Sequence, residues 1–98
     1  MKKDLKEYIL QWFTVGDEDL IVAERLYENN PISVLGAICF HCQQCVEKYL
    51  KAYLSFKNFK FTRTHDLDDL LKDCINFDKD FNKLNFKNLT DFAVDFRY

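Results

Sequence analysis

The stretch from Ser33 to Phe56 constrains the fold of this chain more than any other. On a helix with ~100° between successive residues, its apolar side chains fill an arc wider than the ~100° stripe of an ordinary surface helix. The residues on that arc are Val34, Leu35, Ile38, Cys39, Cys42, Cys45, Val46, Tyr49, Leu50, Ala52, Tyr53 and Phe56. A helix this apolar must be covered on more than one side, so the stretch predicts the central helix of the protein.

The same predicted helix carries one narrow polar line. The line consists of His41, Gln44, Lys48 and Lys51. Their spacings of three and four residues place them along a single edge of the helix. This edge is the first candidate for a functional surface.

The scarcity of turn residues indicates the fold class. The 98 residues include two glycines and one proline, whereas an all-β protein needs turn residues every 8–12 positions or so. The hydrophobic content of 48% lies well above that of disordered chains. We therefore predict an all-α protein, in which residues 1–98 form a single helical domain.

The first and second helices have recognisable limits. Apolar residues recurring at three and four predict a first helix from about Asp4 to Asn29. Pro31 then disfavours helical backbone in the residue before it. Ser33 is a suitable N-cap for the second helix.

Two further helices are predicted in the second half. Thr64 or Asp66 would cap a third helix, and residues 76–82 read as an irregular link. The fourth helix is marked by Leu84, Phe86, Leu89, Phe92, Ala93 and Phe96. Its pattern is still continuing at Tyr98, so we expect the domain to be truncated at its C-terminus.

The charge is arranged in blocks despite a formal net charge of -2. A segment without acidic residues contains Lys48, Lys51, Lys57, Lys60 and Arg63, and acidic segments flank it on both sides. Such a block is either a solvated surface or a patch for phosphate or another acidic partner. Phe59 and Phe61 stand among these cations, the combination that contacts to single-stranded RNA require.

Cellular context follows from what the sequence lacks. No apolar run approaches the 18 or more residues of a membrane span, and no signal peptide opens the chain. We expect a cytoplasmic protein without a membrane partner, in which the four cysteines are reduced thiols.

The cysteines form an incomplete metal motif. Cys39, Cys42 and Cys45 match the opening of an iron–sulfur run, but Tyr49 occupies its fourth position. On the apolar side of a helix, free cysteines act as small buried hydrophobes. We predict no metal and no cofactor, with a zinc site that also uses His41 as the alternative.

No catalytic motif is visible. The chain has no P-loop, no dinucleotide glycine fingerprint and no HExxH. His41 and His65 are its two histidines. His65 lies just before a helix start, where local capping or packing is enough to explain it. His41, on the polar line, is the better functional candidate.

Several segments together resemble the HEPN domain, the "higher eukaryotes and prokaryotes nucleotide-binding" domain. Residues 40–54 match its FHxQQxxEKxLKAxL signature, and residues 64–67 match its THDL element. Arg97 and Tyr98 look like the start of its RYP element, and Trp12, Asp19, Leu20 and Ala23 fit its first helix. The resemblance covers nearly the whole chain, with its elements in the right order.

The resemblance implies an antiparallel up-and-down helical bundle of about four to five helices, which dimerises. Such domains are frequently encoded beside, or fused to, a minimal nucleotidyltransferase. Some members are RNA-cleaving toxins whose antitoxin is the transferase, and others have been proposed to bind nucleotides or RNA without cutting them.

The sequence departs from the ribonuclease members of the family. Those members carry Arg-x(4–6)-His, but neither Arg25 nor Arg63 has a histidine at that spacing, and the sequence given contains only Tyr98 after Arg97. No catalytic residue is carried over, and we do not expect the printed chain to be an enzyme by itself.

Three interpretations follow. The first, which we adopt, is a nucleotide- or RNA-binding module that forms a homodimer and acts with a nucleotidyltransferase partner. The second is a ribonuclease toxin whose motif lies beyond residue 98. The third is a purely structural dimerisation module. The ligand-binding residues predicted for the first are His41, Gln44, Lys48, Lys51, Arg63, His65 and Arg97.

Overall fold

The chain folds into helices around one long helical hairpin. The computed structural model describes residues 3–61, 63–87 and 89. Within these residues the elements are α1 (Lys3–Asn29), α2 (Leu35–Phe56), α3 (Leu67–Phe77) and a 3-10 helix (Lys79–Lys83). No strand occurs in these ranges. The predicted all-α class is therefore confirmed, whereas a count of four to five helices is not.

Helices α1 and α2 are antiparallel. The start of α1 lies beside the end of α2, since Trp12 contacts Lys51, and its later part lies beside the start of α2, where Asp19 contacts His41. Gly16 permits the close approach in between, because a Cβ atom there would lie 2.7 Å from Cε1 of Tyr49. The bounds predicted for α1 are confirmed, and its glycine does mark a helix contact.

The N-cap predicted for α2 is wrong. Val34, rather than Ser33, occupies that position, and it makes no side-chain capping hydrogen bond. The backbone N–H of Ser33 instead donates to the side chain of Asn30, at 3.4 Å. Asn30 thus closes the turn after α1.

The core lies where α2 meets α3. Its buried centre consists of Leu50, Leu54, Leu70 and Cys74. Asp66 caps α3 as predicted, because its carboxylate accepts hydrogen bonds from the backbone N–H groups of Asp68 and Asp69. The short, strongly amphipathic α3 therefore begins at a fixed point and covers the second half of α2.

The segment after α3 differs from the prediction. Residues 76–82 are not an irregular link, since α3 continues to Phe77 and the 3-10 helix starts at Lys79. Asp78 accounts for the difference, because its side chain accepts from the N–H of Asp80 and so caps the 3-10 helix. Leu84 to Phe86 are not helical, and residues 90–98 of the predicted fourth helix lie outside the described residues.

Candidate functional site

The loop between α2 and α3 is directed by a left-handed residue at the end of α2. Asn58 has φ = 56°, a conformation that asparagine tolerates better than most residues. Its N–H donates to the carbonyl of Ser55, and the N–H of Phe59 donates to that of Leu54, both at 2.9 Å. This is the Schellman arrangement. It turns the chain back so that Phe59 packs against the core.

This turn creates a groove between the start of α1 and the α2–α3 loop. The groove has a volume of about 370 Å³, within the range of small-ligand sites. It is lined by Leu5, Tyr8, Ser55, Asn58, Phe59, Lys60, Phe61 and Arg63. The lining combines three aromatic rings with two cations and two uncharged polar side chains.

The chemistry of the groove suits a nucleotide. Lys60 and Arg63 are exposed, and their charges suit phosphate, which arginine can hold through paired N–H groups. Tyr8 and Phe61 offer rings on which a base can stack. The polar groups of Ser55 and Asn58 can donate to or accept from a base edge.

An ionic cluster built around a buried carboxylate lies behind one wall of this groove. We call it the Glu47 cluster, comprising Glu47, Lys51 and His65. The ammonium of Lys51 donates to Oε2 of Glu47 at 2.9 Å. Nδ1 of His65 lies 3.0 Å from the same oxygen, and because a carboxylate only accepts, this nitrogen is the donor. The side chain of Glu47 is 2% exposed and that of His65 is 83% exposed, so a surface histidine from the loop is bound to a core carboxylate.

Aromatic rings connect the Glu47 cluster to the groove. The Lys51 ammonium lies 5.4 Å from the ring centre of Trp12 and 5.7 Å from that of Phe61, within cation–π range. The ring of Trp12 also packs edge-on against Phe61 and Tyr8, with centroids 6.1 and 5.9 Å apart. Both aromatic walls of the groove therefore rest on Trp12. The Nε1–H of Trp12 is buried without an acceptor among the described residues.

A second polar network joins the later part of α1 to α2. We call it the Asp19 cluster. Nδ1 of His41 donates to Oδ1 of Asp19 at 2.9 Å. Lys48 donates to Gln44 at 2.8 Å and to Oδ2 of Asp19 at 3.5 Å. Nearby, the hydroxyl of Tyr49 donates to Asp17, and this bond together with burial raises the pKa of Tyr49.

The structure divides the predicted site residues between these places. His41, Gln44 and Lys48 belong to the Asp19 cluster, in which His41 and Lys48 bond to the Asp19 carboxylate. Lys51, predicted to continue that polar line, is buried and pairs with Glu47. Arg63 lines the groove and His65 stands behind it. Arg97 lies outside the described residues.

Several residues of the site escaped the sequence analysis. Asp19 and Glu47 were not predicted as partners; Asp19 bonds across to α2, whereas Glu47 pairs within its own helix. Tyr8 and Trp12 were not predicted as site residues, yet Tyr8 is 46% exposed and lines the groove. The i, i+4 spacing of Glu47 and Lys51 was a usable signal, since such pairs meet on a helix.

The cysteines are free thiols that differ in burial. Cys45 and Cys74 are buried, whereas Cys39 and Cys42 are half-buried, which differs from the predicted burial of all four. Burial raises the pKa of the Cys74 thiol to about 11. In the part of the chain that the structure describes, no group of three or more metal-ligating side chains converges. The absence of metal stays a prediction. None of the described helices is long and apolar enough to cross a membrane.

Comparison with known families identifies the class of the protein. A helical hairpin that carries the FHxQQxxEKxLKAxL segment on α2 and the THDL segment at the start of α3 is the arrangement that the resemblance predicted. The family model described as the HEPN domain matches residues 9–98. The chain belongs to the HEPN domain family. Neither the curated proteins nor the solved structures contain a significant match to it.

Proposed function

We propose that this HEPN domain is a nucleotide- or RNA-binding module. The observation that carries the proposal is the groove between α1 and the α2–α3 loop, in which Lys60 and Arg63 stand beside Tyr8 and Phe61. Stacking on the rings would hold a base, and the two cations would hold its phosphate. Because every base has a π-face, the groove accepts single-stranded RNA of varied sequence.

The test is RNA affinity measured across a salt series. Fluorescence anisotropy of a labelled single-stranded RNA gives the dissociation constant at each salt concentration, and an unlabelled mononucleotide serves as competitor. If Lys60 and Arg63 each neutralise a phosphate, Lys60→Ala with Arg63→Ala lowers the log–log salt slope by about 1.4, at ~0.7 per contact. Competition by the mononucleotide identifies it as a ligand in its own right.

A charge-matched control separates a site from general attraction. Lys72→Ala with Lys79→Ala removes the same charge from exposed positions on α3 and the 3-10 helix, away from the groove lining. Its slope should equal that of the wild type. Equal losses in the two double variants would refute the groove as the site.

The Asp19 cluster is the other candidate surface. His41, Gln44 and Lys48 were predicted to bind ligand, but Lys48 already bonds to Asp19 and Gln44. A Lys48→Ala variant is therefore expected to keep the wild-type salt slope. A slope lowered by Lys48→Ala and not by the groove variant would relocate the site to this cluster.

The biological role that we propose comes from the family. In this proposal the domain acts with a minimal nucleotidyltransferase in a toxin–antitoxin-like pair, as the resemblance implies. Co-expression with a nucleotidyltransferase encoded beside its gene, followed by gel filtration of the purified pair, tests this role, and separate elution of the two proteins would contradict it. Gel electrophoresis of the RNA after binding distinguishes a binding module, which leaves it intact, from a ribonuclease.

We also propose that the domain forms a homodimer. The apolar side chains of α1 support this, because Leu10, Ile21 and Tyr27 are 51%, 52% and 66% exposed in the described chain. Large apolar side chains left exposed along one helix are candidates for an interface. Sedimentation at micromolar concentration should give twice the mass of the chain, and a monomer would contradict the proposal.

A further inference from the structure

We propose that the Glu47 cluster is a positioning device that holds the α2–α3 loop in the geometry the groove requires. This inference rests on the proposed function, since it concerns how that ligand site is built. Lys51 contacts the ring of Phe61 in the groove wall, and Glu47, Lys51 and His65 are all absent from the groove lining. They act on a ligand through Phe61 and Arg63.

The first argument is the way the cluster brackets Arg63. Two residues before Arg63, the ring of Phe61 lies against the ammonium of Lys51 and the ring of Trp12. Two residues after it, His65 donates to Glu47. Both anchors converge on one i, i+4 pair of α2. The backbone that carries Arg63 is therefore fixed on either side, while its guanidinium stays exposed.

The second argument concerns the cost of the buried pair. Glu47 and Lys51 have side chains 2% and 9% exposed, and a buried ion pair commonly stabilises a fold no better than apolar residues of the same shape. Stability alone therefore gives little reason for this pair. A carboxylate that binds one partner from its own helix and another from a loop fixes the loop relative to the helix, which apolar residues do far less specifically.

The third argument is that the loop has few other attachments nearby. Phe59 and Phe61 pack against the core, Phe59 is also bonded to the end of α2, and Asp66 is held by its cap on α3. Lys60 and Arg63 are exposed, and no hydrogen bond or ion pair involving them is described within residues 57–61 and 63–66. Removing the bond between His65 and Glu47 frees the chain from Phe61 to the start of α3.

The experiment compares His65→Ala, His65→Asn and Arg63→Ala. Asparagine keeps an N–H donor at about the position of Nδ1, so it should rescue the tether. RNA binding across the salt series separates the two roles. His65→Ala should weaken binding about three- to tenfold at every salt concentration without changing the slope. Arg63→Ala should lower the slope by about 0.7, and His65→Asn should bind within about twofold of the wild type.

A second readout needs no ligand. Trp12 is the single tryptophan of the chain and contacts both Lys51 and Phe61, so acrylamide quenching of its fluorescence reports how tightly the loop is held. Quenching should increase in His65→Ala, and stay at the wild-type level in His65→Asn and Arg63→Ala. Helical circular dichroism at the same temperature confirms that each variant is folded.

The outcomes separate the inference from the proposed function. A slope lowered by His65→Ala as much as by Arg63→Ala would mean that His65 contacts phosphate itself, which overturns the positioning role. Unchanged quenching in His65→Ala would also overturn it. If the wild type binds neither RNA nor mononucleotide, the proposed function fails, and the quenching result still decides whether the cluster holds the loop.

Discussion

Replacing Lys51 by methionine should be one of the most destabilising single changes in this domain. Methionine keeps the length of the lysine stem, so the contacts with Trp12 and Phe61 are largely retained. It removes the ammonium that lies 2.9 Å from Oε2 of Glu47. Among the residues that the structure describes, His65 is then the one remaining partner of the buried Glu47 carboxylate.

The magnitude follows from the burial of Glu47. Breaking a buried ion pair by removing one member typically costs 3–5 kcal/mol or so, because an uncompensated charge is left in the interior. His65 still donates to Glu47, so we expect the lower end, about 3 kcal/mol. For a domain of this size that corresponds to a fall in melting temperature of roughly 12–24 °C, and to a large part of a total stability of about 5–15 kcal/mol.

Urea unfolding followed by circular dichroism measures the change. Lys83→Met is the control, because Lys83 also pairs with an acid on its own helix, Asp80, but both side chains are over 80% exposed. It should change the free energy of unfolding by less than about 0.5 kcal/mol. A loss in Lys51→Met no larger than in Lys83→Met would refute the reasoning. The double change Glu47→Leu with Lys51→Met should recover most of the lost stability, since it leaves no buried charge.

Three further results are expected. Gly16→Ala should destabilise the domain by about 1–2 kcal/mol, because the new Cβ would lie 2.7–2.8 Å from the Tyr49 ring. This overpacking outweighs the gain in helix propensity, and equal or higher stability would contradict the prediction. Tyr49→Phe should remove the latest-titrating phenol in an absorbance titration, since bonding to Asp17 raises the pKa of Tyr49. The stabilisation from that bond should be complete below about pH 10 and should decline as the pH rises from there through the raised pKa of Tyr49. Cys74 should react slowest with a thiol reagent at pH 8, because burial raises its pKa to about 11; Cys74→Ser should abolish that slow phase.

Helices were predictable where one periodic pattern dominated. Apolar spacing located α1, and Asp66 marked the start of α3 because a short acidic side chain can accept from the first free N–H groups of a helix. The start of α2 was not predictable from Ser33 alone. Ser33 lies in the turn before α2, where its backbone N–H donates to the side chain of Asn30, and a contact made across a turn leaves no trace in helical spacing.

The candidate site was predictable in its residue types and not in its geometry. Arg63 and His65 were placed near one another by the sequence, and both are found at the α2–α3 loop. Lys51 was assigned to the polar line of α2 by its helical spacing from Lys48 and Gln44. Its burial depends on Glu47 from its own helix and on rings from α1 and the loop. Those contacts become visible only when three separate segments are brought together.

The partner of a charge decides what that charge can do, and this separates the two groups of cations on and after α2. Lys48 and Lys51 face carboxylates 3.5 and 2.9 Å away, so a phosphate would have to compete with a bond that is already made. Lys60 and Arg63 stand exposed at the groove, and a phosphate there adds an interaction without breaking one. Lys48 and Lys51 therefore fix α1 and the loop in place, whereas Lys60 and Arg63 are the cations that the proposed function assigns to the ligand.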